Sequence, residues 1–163
     1  TTGWTTDELS AAMDDTTFAP PYALVTLMIG VNNQYRGRDL QEYRQQFDAL
    51  LVRAIHLAGD DATRVIVLSI PDWGATPFGH ASDRELAHVS AQIGSFNAAA
   101  EAATRARGAA WVDVTPVSRE VTNHPELAAH DGLHPSGAMY ARWVELVLPV
   151  AEARLRRDAA GSH

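Results

Sequence analysis

Apolar residues along the chain form two patterns, short unbroken runs and long periodic stretches, and the two alternate. Residues 23–29 and 64–70 are nearly unbroken apolar runs rich in Leu, Val and Ile, the form taken by strands buried on both faces, and 110–114 reads as a third, short strand. Between them, Tyr43, Phe47, Leu50, Leu51 and Ala54 within 38–59, and Val89, Ile93, Phe96, Ala100 and Ala103 within 83–107, recur on a helical period. Each of these stretches closes on a glycine, Gly59 and Gly108, as helices commonly do. Ser136 is placed to cap a last helix through Tyr140, Trp143, Val144, Val147 and Leu148, with a kink expected at Pro149. Thr5-Thr6-Asp7-Glu8 ahead of Leu9, Ala11, Ala12 and Met13 has the capping-box form and predicts a short first helix. Residues 72–79 read as a loop, and the segment from 115 to about 126 as irregular.

Strands alternating with helices, the strands continuous rather than alternating in polarity, predict an α/β fold with a parallel sheet covered on both faces. In such sheets chemistry gathers outside the carboxyl ends of the strands, where residues 30–36, 71–79 and 115 onward emerge.

Composition narrows the function more than the fold. The 163 residues suit one domain, long enough to bury roughly 70% of its unfolded surface. A net charge of -7 without a Lys/Arg cluster argues against nucleic acid and anionic membrane surfaces as partners. The absence of cysteine excludes disulfides, thiolate metal sites and a thiol nucleophile. No apolar run approaches the ~20 residues of a spanning helix, and a cytoplasmic location is expected. The chain starts at Thr1 and ends Gly161-Ser162-His163, so the domain is placed at 1–158 and residues 159–163 are read as a tail or tag remnant.

Asp131-Gly132-Leu133-His134-Pro135 sets a carboxylate three residues before an imidazole, with Gly and Pro holding the segment out of a regular helix. Asp131 can accept from one ring nitrogen of His134 and leave the other free as a general base. The alternative is a helix-entry turn in which Asp131 caps backbone groups. His130 and His134 have a metal-ligand spacing, but Gly132 and Pro135 deny them a helix, so no metal and no cofactor are expected. His56 and His88 read as surface or half-buried helical residues.

Ile29-Gly30-Val31-Asn32-Asn33 leaves a predicted strand at its carboxyl end, where the Asn32 amide can donate to an oxyanion. Alternatively Gly30 with Asn32 or Asn33 makes a turn, these residues tolerating left-handed backbone. Gly3, before the first helix, can bring a bare N–H to a ligand. Asn33, Tyr35, Trp73 and Phe78 are candidates for the substrate pocket, and Arg36 for pairing with a carboxylate.

Taken in order, Thr2-Gly3-Trp4-Thr5-Thr6, Gly30-Val31-Asn32-Asn33 and Asp131-Gly132-Leu133-His134-Pro135 resemble the SGNH hydrolases, also called GDSL lipases and esterases. The resemblance implies a flavodoxin-like three-layer sandwich and ester hydrolysis through an acyl-serine intermediate. It implies His134 as base, Asp131 as its orienter, and Gly3 and Asn32 as oxyanion donors. Two departures stand out: Asn33 occupies a place where the family commonly has aspartate, and no Gly-Asp-Ser segment occurs. The nucleophilic serine is therefore expected upstream of Thr1, with the family's first strand and most of its second, supplied by further residues or by a complementing N-terminal fragment. A small-molecule ester is the expected partner, and the listless alternative of a non-catalytic α/β binding module stays open. A phosphate or nucleotide binder is disfavoured, because no glycine-rich loop links a strand to a helix.

Overall fold

The structure, a computed structural model, describes residues 1–160, with side chains through residue 156. The three apolar runs pair as strands β1 (Val25–Leu27), β2 (Val65–Leu68) and β3 (Ala110–Val112) of one parallel sheet in the order β1-β2-β3. Val25 lies opposite Val65, and Ile66 opposite Ala110. Val65, Ile66 and Val67 of the central strand are 0% exposed, which is why that run carries no polar alternation. The free edge of β1 faces no other described strand, and Thr26 on it is exposed.

Among the described residues seven α-helices accompany the sheet: α1 (Thr6–Asp14), α2 (Val31–Tyr35), α3 (Leu40–Leu57), α4 (Pro77–Ala81), α5 (Leu86–Ala106), α6 (Thr115–Arg119) and α7 (Gly137–Ala160). On one face, Leu27, Val65 and Val67 pack with Phe47, Leu51, Ile93 and Phe96 of α3 and α5. On the other, Ile66, Ala110 and Val112 pack with Met139, Trp143 and Ala151 of α7. The result is the predicted three-layer α/β/α arrangement. Among the described residues no helix is long and apolar enough to cross a membrane. The tail expected at 159–163 lies mostly outside the described residues; residues 159 and 160 continue α7.

Three local expectations are corrected. Residues 31–35 form α2 rather than a turn: only Gly30 has positive φ (128°), and Asn32 and Asn33 are helical. A Cβ at Gly30 would lie 2.6 Å from the Tyr43 ring, so close packing as well as backbone geometry requires glycine there. The 72–79 loop contains a 3-10 turn, Trp73–Ala75, and α4. Thr76 caps α4 by accepting from Gly79 N at 3.1 Å, with Pro77 in the first turn, a start signal present in the sequence. The segment from 115 holds α6, likewise opened by a proline. Besides these, α7 includes Pro149 within its length, with Ala151 buried beyond it.

Candidate active site

The loop carrying Asp131 and His134 is closed on itself. Ala128 and Pro135 form an antiparallel bridge, Ala129 N donates to His134 O at 2.7 Å, and Ser136 N to Leu127 O at 2.8 Å. Gly132 sits at φ +69° and donates to Ala129 O at 2.9 Å, the reversal that brings the two side chains together. Asp131 Oδ2 lies 2.6 Å from His134 Nδ1, and Oδ1 accepts from the backbone N–H of Leu133 (2.9 Å) and His134 (3.0 Å). The Leu133 N–H first, then the His134 ring and backbone N–H, hold the Asp131 carboxyl well below the usual carboxylate range. A charged Asp131 favours the tautomer with its proton on Nδ1, leaving Nε2 as the basic nitrogen. The two oxygens of Asp131 thus cap backbone N–H groups and meet the imidazole at once.

The second half of the site forms where β1 ends. Gly30 turns the chain into α2, and α2 grips the segment ahead of α1. Asn32 Nδ2 donates to Trp4 O at 3.1 Å, and no other described group takes its second amide hydrogen. Arg36 donates to Glu8 Oε1 at 2.9 Å and to Gly3 O at 2.8 Å, which is the carboxylate pairing expected for it. Glu8 is held down to about 2, by the Thr5 N–H first and then by Arg36.

One cleft of about 540 Å³ is lined by Gly3, Asn32, Tyr35, Trp73 and His134 together. Asn33 and Phe78, expected in the pocket, do not line it. Asn33 is 2% exposed, and both its amide atoms are taken by Thr6, Oδ1 by the backbone N–H at 3.0 Å and Nδ2 by Oγ1 at 2.7 Å. Its work is to fasten α1 to α2. Phe78 backs Trp73 edge-on at 6.3 Å and ties to the Asp131–His134 loop through its N–H on Gly132 O at 3.0 Å.

Two contributors were not anticipated from sequence. Gln34 is buried and accepts from Trp73 Nε1 at 2.7 Å, and Gln92 accepts from Gln34 at 2.8 Å. Arg84 lies over the Tyr35 ring at 5.2 Å, while Tyr35 meets Trp73 edge-on at 5.2 Å. Buried Gln34 in an otherwise polar stretch carries no period to mark it, and Arg84 sits between helices. Among the described residues no serine lines the cleft; Ser69 and Ser118 are buried and bonded elsewhere.

An imidazole backed by a carboxylate thus shares a cleft with Gly3 and with the Asn32 amide beyond the end of β1, groups of the kinds that acyl-ester hydrolysis uses. The chain belongs to the GDSL-like lipase/acylhydrolase family, whose model it matches over residues 1–142. No curated protein matches it. Among solved structures, it is similar to an α/β hydrolase enzyme from the metagenome of Lake Arreo, with 19% identity and a TM-score of 0.69, covering 92% of this chain and 69% of that one. It is similar also to an acetylxylan esterase from Geobacillus stearothermophilus, with 20% identity, a TM-score of 0.67 and coverage of 91% and 68%. A lipolytic G-D-S-L family protein from Veillonella parvula, at 18% identity, gives a TM-score of 0.64 over 91% and 75%. At these identities the three establish a shared fold.

Proposed function

We propose that this protein hydrolyses small acyl esters through an acyl-serine intermediate, with a serine supplied from outside the described residues. The observation that carries the reading is His134, 2.6 Å from Asp131 and lining the same cleft as Gly3 and Asn32. His134 Nε2 takes the serine proton as the hydroxyl attacks the ester carbonyl. The negative charge passes to the carbonyl oxygen, where Gly3 N–H and the free Asn32 amide hydrogen receive it. Collapse breaks the bond to the alcohol, which leaves with the proton from His134. Water then attacks the acyl-serine, again losing its proton to His134, and the acid departs as serine regains its hydrogen.

The unpaired edge of β1 supports the source of that serine. A strand added there in parallel would end beside Met28, Ile29 and Gly30, which line the cleft with His134. Acetylated carbohydrates are the first substrates to try, because Tyr35 and Trp73 offer ring surfaces on the wall and an acetylxylan esterase shares the fold.

Intact mass before and after a fluorophosphonate probe tests the proposal. One adduct, lost in His134→Ala and mapped to a serine preceding Thr1 or on a co-purifying fragment, is expected. That no serine among the described residues lines the cleft favours a second reading, a binding module without chemistry. A mass equal to these residues with no adduct would establish that reading instead.

A further inference from the structure

Just past α2, Arg36 reaches both the segment ahead of α1 and Glu8, the residue of the α1 capping box. Arg36 bridges the Gly3 carbonyl at 2.8 Å and Glu8 Oε1 at 2.9 Å, while Glu8 Oε2 accepts the Thr5 N–H at 2.8 Å. We propose that Arg36 is a positioning residue: it clamps the Gly3 carbonyl, and so limits the backbone of this cleft-lining glycine to conformations in which its N–H can serve the cleft. This rests on the assignment of Gly3 as an oxyanion donor made above.

Packing cannot do this work. Gly3 stands at φ +90°, with no atom within 4 Å of where a Cβ would be. Glycine is the residue with most backbone freedom to lose, and an oxyanion donor is effective only if its direction is fixed before charge develops. Order at Gly3 therefore comes from bonds to its backbone. A planar guanidinium can hold a carbonyl and a carboxylate together in a fixed fork, which a lysine ammonium on a flexible stem does poorly. Glu8 supplies the other anchor, and its carboxyl, held down to about 2, remains charged at any ordinary pH. The pair is substantially exposed, 41% for Arg36 and 39% for Glu8, and exposed pairs add little to stability. Its loss therefore separates positioning from folding.

The test uses the full chain labelled with 15N, titrated with methylphosphonate as a tetrahedral anion and followed at the Gly3 N–H and the Asn32 side-chain amide. In the unaltered protein both signals are expected to move saturably. Arg36→Ala is expected to weaken the anion on the order of tenfold and to abolish the Gly3 response, less than the 10²- to 10³-fold typical of removing a donor outright. Its Tm is expected to stay within about 2 °C. Arg36→Lys should retain part of the response. Arg38→Ala, which removes only a 3.8 Å pair with Asp7, should retain all of it. An identical Gly3 response in Arg36→Ala and the unaltered protein would overturn the positioning role and leave the oxyanion assignment standing. A large fall in Tm in both Arg36 variants would also overturn it, making Arg36 structural. A Gly3 N–H that never responds, even in the unaltered protein, would remove the oxyanion assignment and this inference together.

Discussion

The two sides of the cleft are put together in different ways. Asp131 reaches His134 and two backbone N–H groups through contacts spanning at most 3 residues. Asn32, Asn33 and Arg36 instead bond to residues 27 to 33 positions away, on the segment before α1 and its first turn. The first side is half-exposed and complete within one loop, whereas the second exists only once β1, α2 and α1 have packed. Substitutions on the local side should therefore act on chemistry alone, and those on the remote side on chemistry and stability in a mixture.

The largest expected effect tests the local side. In the ester-hydrolysing protein, His134→Ala is expected to lower kcat about 10⁶-fold, since the base of a catalytic triad is about as costly to lose as the whole triad. With the side chain 51% exposed, urea midpoints should not move. Asp131→Asn should cost about 10⁴-fold: its carbonyl oxygen can still accept from Leu133 and His134 N–H, but the amide cannot hold the tautomer. A fall in stability comparable to the fall in rate, in either variant, would break the claim that this loop stands by itself.

On the remote side, Asn32→Ala removes a donor and is expected to cost about 10²- to 10³-fold in kcat. It also frees the Trp4 carbonyl, so amide hydrogen exchange at Thr5 and Thr6 should quicken, a sign the local variants lack. Asn33→Leu sharpens the contrast from the stability end. It leaves the buried Thr6 N–H without an acceptor, while the Thr6 hydroxyl loses the Asn33 amide and keeps Gln46, at about 1–3 kcal/mol by urea unfolding, with a change in kcat well below that of Asn32→Ala. Equal losses of rate at Asn32 and Asn33 would put Asn33 back among the groups that serve the cleft.

The same division decides what could be read from sequence. Asp131 and His134 were legible because the spacing, glycine and proline that produce their geometry are contiguous. The three strands and the long helices α3 and α5 were legible too, since burial on two faces or on one stripe leaves its own periodicity. Asn33 was misplaced in the pocket because adjacent Asn32 and Asn33 differ only in which way α2 turns them, and that follows from contacts with Trp4 and Thr6. Gln34 and Arg84 were missed for a related reason: their partners, Trp73 and Tyr35, meet them only in the folded chain. The helices α4 and α6 are different, for Thr76-Pro77 and Thr115-Pro116 announce them and the signal was simply short.

The smallest effect expected is a difference in acid response between the two sides. Glu8 ordinarily ionises near 4.5 and is held down to about 2 in the folded chain, by the Thr5 N–H and Arg36. A carboxyl depressed by folding contributes stability that is present above its unfolded value and lost as pH falls through its folded one. The clamp on Gly3 should therefore be intact above about pH 4.5 and released as pH approaches 2. Asp131 is held lower still, chiefly by the Leu133 N–H, so its loop should outlast the clamp. Amide shifts of Thr5 and Gly3 followed down the acid limb should move before those of Leu133 and His134. In Glu8→Gln the Thr5 and Gly3 shifts should lose this step while the Leu133 step stays where it was. Simultaneous movement of all four amides would show that the sides are coupled, and that the remote contacts reach further into the catalytic loop than their hydrogen bonds alone require.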